Sequence, residues 1–213
     1  MESPFPEPVP AGTRLIETFG WWPETGAQRL ERHLARMARS ARSLGFAFDL
    51  EQARGRVAAL RAAMPLRCRL TLGKAGDLDL VSAPLPPLPD RPWRVAIHPE
   101  KLRVGDPWLG HKTTCRALYD AARAALPEGV DEWLFLNDRG ELCEGTITNL
   151  FVTLADGRRL TPPLDAGLLP GILREELLAR GAVREGRLSP DVLTGATLTL
   201  GNSLRGEIAA QLV

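Results

Sequence analysis

Lysine is scarce in this chain: of 27 basic residues only Lys74, Lys101 and Lys112 are not arginine. A preference for Arg codons accounts for most of that imbalance. Even so, arginine keeps its proton and forms no Schiff base at ordinary pH, so a position held as lysine is a candidate for amine chemistry. Lys74 falls in the turn Gly73-Lys74-Ala75-Gly76. Lys112 follows a loop of turn formers, Gly105 to Gly110, and stands in His111-Lys112-Thr113-Thr114-Cys115-Arg116 at the mouth of an expected helix. On spacing alone it reads as a surface lysine.

A second concentration of reactive groups is Glu144-Gly145-Thr146-Ile147-Thr148-Asn149-Leu150-Phe151, which places a carboxylate, two hydroxyls and an amide in one strand-turn-strand passage. Thr161-Pro162-Pro163 and Leu169-Pro170-Gly171-Ile172-Leu173-Arg174 follow. Taken singly, Glu144 reads as a solvated strand residue, Gly171 as a helix start, Thr148 as a turn former and Asn149 as a strand-fixing amide. Tyr119 reads as facing the core. His33 and His111 are available as general bases, but Lys112 makes neither necessary. Cys68, Cys115 and Cys143 are odd in number and lack CxxC or Cys/His spacing, which points to reduced thiols in a cytosol rather than a disulfide framework or a zinc site.

The run from Glu144 to Arg174 resembles the signature of the fold-type IV pyridoxal-phosphate enzymes, the family of the branched-chain and D-amino-acid aminotransferases and of aminodeoxychorismate lyase. Its pieces are Glu-x-small-x-x-Asn-aliphatic-aromatic, a Thr, then aliphatic-x-Gly-aliphatic-x-basic. The one departure is Arg159, where an aliphatic residue is usual two places before Thr161. The likeness extends to Leu34-Ala35-Arg36-Met37 and to Asn202-Ser203-Leu204, so it covers most of the chain. It implies pyridoxal 5'-phosphate as cofactor and Lys112 as the amine that binds it as a Schiff base and shuttles protons at the substrate carbon. Glu144 matches the partner of the pyridine nitrogen, and keeping that nitrogen protonated makes the ring an electron sink. Arg36, the backbone amides of Gly171 and Ile172, and the Ser203 hydroxyl match the phosphate's hold, which suits a guanidinium fork and a helix N-terminus. Arg116 is a cationic neighbour whose field eases loss of the lysine proton.

Branched-chain aminotransferases carry a ring-contacting tyrosine five residues after the lysine, and here that position is Ala117. Arg116 and the ending Gly201-Asn202-Ser203-Leu204-Arg205-Gly206 look more like the lyase branch. That branch implies release of pyruvate and 4-aminobenzoate from 4-amino-4-deoxychorismate for folate synthesis, with Arg116, Asn202 and Arg205 at the substrate. A branched-chain or D-amino-acid transaminase is the alternative. A non-catalytic pyridoxal-phosphate-binding or metabolite-sensing protein is the reading from another class, opposed by the joint retention of Lys112, Glu144 and Arg36. Family members usually pair with the site near the lobe junction, so a homodimer acting on a small amino substrate is expected, with Trp21, Trp22 and Trp108 as candidates for interface or pocket wall. The family resemblance begins almost at Ile16-Glu17-Thr18-Phe19, a short start expected to alter or narrow the activity.

The elements that must position these groups can be read from periodicity. Capping-box spacing at Thr25 and the recurrence of Leu30, Leu34, Met37, Ala41 and Leu44 predict a helix ending at Gly45. At about 100° per residue, His33, Arg36 and Ser40 share one shoulder of its apolar stripe while Arg32, Arg39 and Arg42 point away. Asp49 caps a second helix to about Met64, and alternating runs at Arg67 to Leu72 and Leu78 to Ser82 form a hairpin. The prolines of 84–92 exclude regular structure and mark a linker. Beyond it come strands at Trp93 to His98, Glu132 to Asn137, Glu141 to Glu144, Ile147 to Leu154, Val183 to Leu188 and Ala196 to Leu200. Helices are expected over Thr113 to Ala125, over Pro170-Gly171 to Arg180, and briefly from Pro190. The expected protein is α+β and two-lobed, in the manner of the D-amino-acid aminotransferase fold: a small α/β lobe over 1–83, the linker, and a strand-rich, pseudo-barrel cofactor-binding lobe over 93–213.

With 27 basic against 26 acidic residues there is no net field to draw nucleic acid or an acidic membrane surface, so substrate selection rests on local charge. The start Met1-Glu2-Ser3-Pro4-Phe5-Pro6 has no basic stretch before an apolar run, and no run of apolar residues is long enough to span a bilayer. A cytoplasmic protein is expected.

Overall fold

The computed structural model describes Phe5 and residues 8–88 and 90–213. Met1-Glu2-Ser3-Pro4 and Pro6 of the start, and Pro89 of the proline-rich run, lie outside these residues. The chain divides into two compact units, Met1–Pro87 with His111–Cys115 and Leu88–Gly110 with Arg116–Val213. Among the described residues no helix is long and apolar enough to cross a membrane, and no cluster of His, Cys, Asp and Glu is placed to hold a metal ion.

The first unit contains β1 (Arg14–Trp22), β2 (Gly26–Ala27), α1 (Leu30–Leu44), α2 (Leu50–Ala58), β3 (Leu66–Gly73) and β4 (Leu78–Pro84). Its sheet is antiparallel in the order β2-β1-β3-β4. No strand is expected at β1 from the sequence, yet it lies inside the sheet. Its residues Leu15, Ile16, Glu17, Phe19 and Trp21 are all buried, and a strand covered on both faces shows no alternation to read. Thr25 does not start α1: Gly26–Ala27 pair with Trp21–Trp22, and the helix begins only after Arg29, which takes a left-handed conformation. Gly45 ends it at φ 71°, its amide bonded to the Ala41 carbonyl, a geometry that glycine adopts without penalty. Asp49 caps α2 as expected, accepting from Gln52 N at 2.9 Å. That helix stops at Ala58 rather than near Met64, because no side chain is buried between Val57 and Leu66 to repay further ordering.

The edge of β1 opposite β3 also takes the His111–Cys115 segment. Ile16 N donates to Lys112 O at 2.8 Å and Thr114 N to Arg14 O at 2.9 Å, with Leu15 and Thr113 as antiparallel partners. This extended pairing is why the expected helix after Lys112 begins at Ala117 rather than Thr113.

The second unit contains β5 (Trp93–Ile97), α3 (Ala117–Ala124), β6 (Glu132–Leu136), β7 (Leu142–Gly145), β8 (Asn149–Thr153), β9 (Arg159–Thr161), α4 (Ile172–Ala179), β10 (Arg184–Glu185), β11 (Thr197–Asn202) and β12 (Gly206–Leu212). Neighbouring strands run β10-β9-β8-β11-β12-β5-β6-β7, and β7 pairs again with β8. The strands β8-β11-β12-β5-β6-β7 therefore close into a barrel, with β9 and β10 as an extension. A buried cluster including Trp93, Val95, Leu134, Leu150, Leu200 and Ile208 joins the barrel strands, and Leu173 and Leu177 seat α4 against Phe151. Each such side chain contributes about 2 kcal/mol of hydrophobic stabilisation. The α+β content and barrel-like strand-rich part agree with the class expected from sequence.

Candidate active site

Glu144 is the last residue but one of β7 and Asn149 begins β8, and the two are cross-strand partners. The Glu144 side chain is buried at 6% exposure. Tyr119, on α3, donates its hydroxyl to Glu144 Oε1 at 2.8 Å, and Asn149 Nδ2 approaches Oε2 at 3.4 Å while donating to Leu169 O at 3.1 Å. Burial, and then the charge of Glu144, push the Tyr119 phenol well above its ordinary range, so at neutral pH it is a donor. The turn between Glu144 and Asn149 is built on Glu132, a carboxylate with 0% exposure. Glu132 accepts from Thr146 N at 3.1 Å, from Ile147 N at 3.2 Å, and from the hydroxyls of Thr146 and Thr148. Arg123 stands 3.6 Å away as its counter-charge.

Gly171 is the N-cap of α4 and has no side-chain cap. A Cβ there would sit 1.7 Å from Asn149 Oδ1, so Asn149 admits only glycine at this position. Ile172 opens the helix and is buried, as is Ser203 in the β11–β12 turn. Thr161 donates to Leu150 O at 2.9 Å, and buried Arg174 bonds Pro162 O and Glu185. Thr161 thus holds the backbone beside Asn149, and Arg174 the backbone at Pro162.

Three residues expected at the substrate have other contacts. Arg116, expected from sequence as a cationic neighbour of Lys112, is paired with Asp120 at 2.7 Å, donates to Thr146 O at 2.9 Å and lies over the Tyr119 ring. Asn202 donates to Ile147 O and accepts from the amides of Leu204 and Arg205. The Arg205 guanidinium lies 5.6 Å from the Trp93 ring centroid.

In the first unit, α1 turns His33, Arg36 and Ser40 inward, all buried, while Arg32, Arg39 and Arg42 are exposed. Arg36 grips Glu17 of β1 through Nε at 2.8 Å and Nη2 at 2.6 Å, and His33 Nδ1 lies 2.6 Å from the same carboxylate. Burial alone would raise the Glu17 pKa, but the charges of Arg36 and His33 and their hydrogen bonds outweigh it and bring it to about 2. Ile16, next to Glu17, holds the Lys112 backbone. Ser40 Oγ meets His111 Nδ1 at 2.9 Å, and burial lowers the His111 pKa. Lys112 and Arg36 are therefore fixed to one strand, β1.

Residues 14–213 match the amino-transferase class IV family. The chain belongs to that family. A Schizosaccharomyces pombe protein assigned as an aminodeoxychorismate lyase is 33% identical over 187 residues, covering 83% of this chain and 80% of that one. A Mesorhizobium loti structure assigned as an amino-acid aminotransferase superposes with a TM-score of 0.89 at 45% identity, covering 94% of this chain and 100% of the other. The 4-amino-4-deoxychorismate lyase of Pseudomonas aeruginosa superposes at 0.79 with 26% identity, covering 93% and 82%.

A class IV aminotransferase is a pyridoxal-phosphate enzyme, and the residues present fit that group. Glu144 is a buried carboxylate of the kind a protonated pyridine requires, and Gly171 opens α4 with no side-chain cap on its first amides. Three residues that contact candidate groups or their supports escaped the sequence reading. Glu17 and Glu132 sit in strands whose buried acids look like any solvated strand acid, and Tyr119, read as core, reaches Glu144. A signal for Tyr119 was its spacing of three from Arg116, one turn along α3. A cleft of about 460 Å³ in the second unit, lined by Asp106, Leu109, Arg139, Leu164, Asp165 and neighbours, includes none of the expected residues.

Proposed function

We propose that this protein is a 4-amino-4-deoxychorismate lyase releasing pyruvate and 4-aminobenzoate, a cytoplasmic homodimer that feeds folate synthesis, built as lobes 1–83 and 93–213 about a linker at 84–92. The observation that carries the reading is the buried, hydrogen-bonded carboxylate of Glu144. A carboxylate kept from water is costly unless it meets a cation, and a protonated ring nitrogen is one. The Schizosaccharomyces pombe relative supports the lyase branch, the free thiols suit a reducing compartment, and pairing is the habit of the family.

Bound pyridoxal phosphate supplies an aldehyde for an amine and a ring that takes up the electrons of the neighbouring C–H bond. Lys112 Nζ would be the attachment point and would carry the proton at the substrate carbon. Glu144 would favour the proton on the ring nitrogen. Arg36, which also pairs with Glu17, the amides of Gly171 and Ile172, and Ser203 would hold the phosphate. Arg116 or Arg205 would meet the substrate carboxylate, and Asn202 would also bind the substrate.

The test is the visible spectrum of the protein with pyridoxal phosphate, followed by assays for pyruvate and 4-aminobenzoate. A band abolished by Lys112→Ala, with both products formed from aminodeoxychorismate, supports the reading. The 45% identity to the Mesorhizobium loti structure favours a second reading, an amino-acid transaminase. Lasting conversion of the cofactor to its amine form by amino acids, with no pyruvate, selects that one. Absence of a lysine-dependent band sinks both.

A further inference from the structure

Helix α3 presents Arg116, Tyr119 and Arg123 to the β7–β8 turn. Arg116 Nη2 donates to Thr146 O at 2.9 Å, Arg123 Nη1 to Thr146 Oγ1 at 3.2 Å, and Tyr119 to Glu144 Oε1 at 2.8 Å. The helix is itself anchored, since Trp133 Nε1 of β6 donates to Ala122 O at 2.9 Å. The Tyr119 ring is fixed by Phe135, edge-on with centroids 5.2 Å apart, and by the Arg116 guanidinium at 5.4 Å. The phenol is therefore a rigid donor aimed at one oxygen of the carboxylate.

We propose that Tyr119 is a positioning residue for the reaction: its hydroxyl holds Glu144 as an oriented, ionised carboxylate for the ring nitrogen of the cofactor. This rests on the reading of Glu144 given above. The terminal torsion of a glutamate is soft, so the plane of the Glu144 carboxylate is set by the donors that meet it, Tyr119 at Oε1 and Asn149 at Oε2. A hydrogen bond to the charged form also favours that form, so the proton shared with the ring stays on the nitrogen.

Tyr119 is the one tyrosine in the chain, so its titration and its spectroscopic signals are read without assignment. The experiment compares the parent, Tyr119→Phe, Glu144→Gln and the double variant, each first shown by thermal unfolding to be folded. Three quantities are read: kcat and KM, the dissociation constant of pyridoxal phosphate from the apoprotein, and the alkaline rise of phenolate absorbance in the apoprotein. Tyr119→Phe should lower kcat about tenfold, the size expected for losing one hydrogen bond to a charged group, while KM moves little and pyridoxal phosphate binds several-fold more weakly. In the Glu144→Gln background the same change should have no further effect, because a double-variant cycle isolates the pair. Glu144→Gln should also let the phenol ionise at lower pH.

Full additivity in the double variant, or a Tyr119→Phe protein like the parent while Glu144→Gln is impaired, overturns the role of Tyr119 and leaves that of Glu144 standing. A Glu144→Gln protein like the parent in turnover and cofactor affinity overturns the Glu144 reading itself, and this inference falls with it. Should Tyr119→Phe fail to fold, 3-fluorotyrosine incorporation replaces it, since it marks only this residue. Its fluorine resonance should shift on Glu144→Gln in the apoprotein, and an unmoved resonance overturns the contact.

Discussion

Glu144 and Asn149 are the register pair at which β7 meets β8, so the barrel of the second unit closes on two residues of the candidate site. Closure and chemistry share a hydrogen-bonding position. Variants there must keep shape if they are to report on chemistry, which is why Glu144→Gln rather than Ala is the informative change.

Gly171→Ala places a methyl 1.7 Å from Asn149 Oδ1. Asn149 must move, and its bonds to Glu144 and to Leu169 O go with it. A loss of about 1–3 kcal/mol in stability is expected from the overpacking, together with a tenfold or greater weakening of pyridoxal phosphate affinity. Unchanged unfolding and cofactor titrations would remove Gly171 from the site.

Glu132→Gln replaces two accepting oxygens with one oxygen and an amide that faces donors. Either Thr146 N at Oε1 or the pair Ile147 N and Thr148 Oγ1 at Oε2 then loses its acceptor, and Arg123 loses its counter-charge. Breaking a fully buried network of this kind costs about 3 kcal/mol. Chemical denaturation should show it as a lower midpoint with the same slope.

Acid should weaken the protein partly through Glu17, whose pKa falls from 4.5 to about 2 in the folded state. A depressed carboxyl contributes stability that is complete above its unfolded pKa and lost as pH falls through the folded one, here between about pH 4.5 and 2, amounting to about 3 kcal/mol. Thermal midpoints of the apoprotein against pH should fall less steeply across that window in Glu17→Gln than in the parent. Parallel curves would show that another group governs acid sensitivity.

Burial pushes the Cys68 thiol up to about 11, and burial followed by the charge of Glu144 pushes Cys143 up to about 12. Both have 0% exposure, whereas Cys115 is half-buried. A thiol reagent at pH 7.5 should therefore label one cysteine per native chain quickly, lost in Cys115→Ser, and three after unfolding.

What was legible in the sequence was local or motif-borne. The inward shoulder of α1 followed from its apolar period, and the run from Glu144 to Arg174 carried the family by its spacing. Partnerships made across distance were not legible. The β1 strand is hidden because both its faces are covered, and β12 was missed because Gly206 to Leu212 mixes polar and apolar residues at a position where only pairing with β11 and β5 defines a strand. Thr25 had the right spacing for a cap, but tertiary pairing of the next two residues overrode it. Glu132 and Tyr119 acquire meaning only when α3 and β6 fold against the turn they support.

The strand that bears Lys112 belongs to the first unit although its chain neighbours on both sides belong to the second, and it is tied there by bonds between residues 100 apart in sequence, such as Arg14 N to Thr114 Oγ1. Cutting the proline-rich run would therefore not free two self-sufficient halves. A fragment ending at 87 would lack an edge partner for β1, and a fragment starting at 88 would carry the lysine on an unpaired loop. The two pieces are built to complement one another through the pairing of 111–115 with β1.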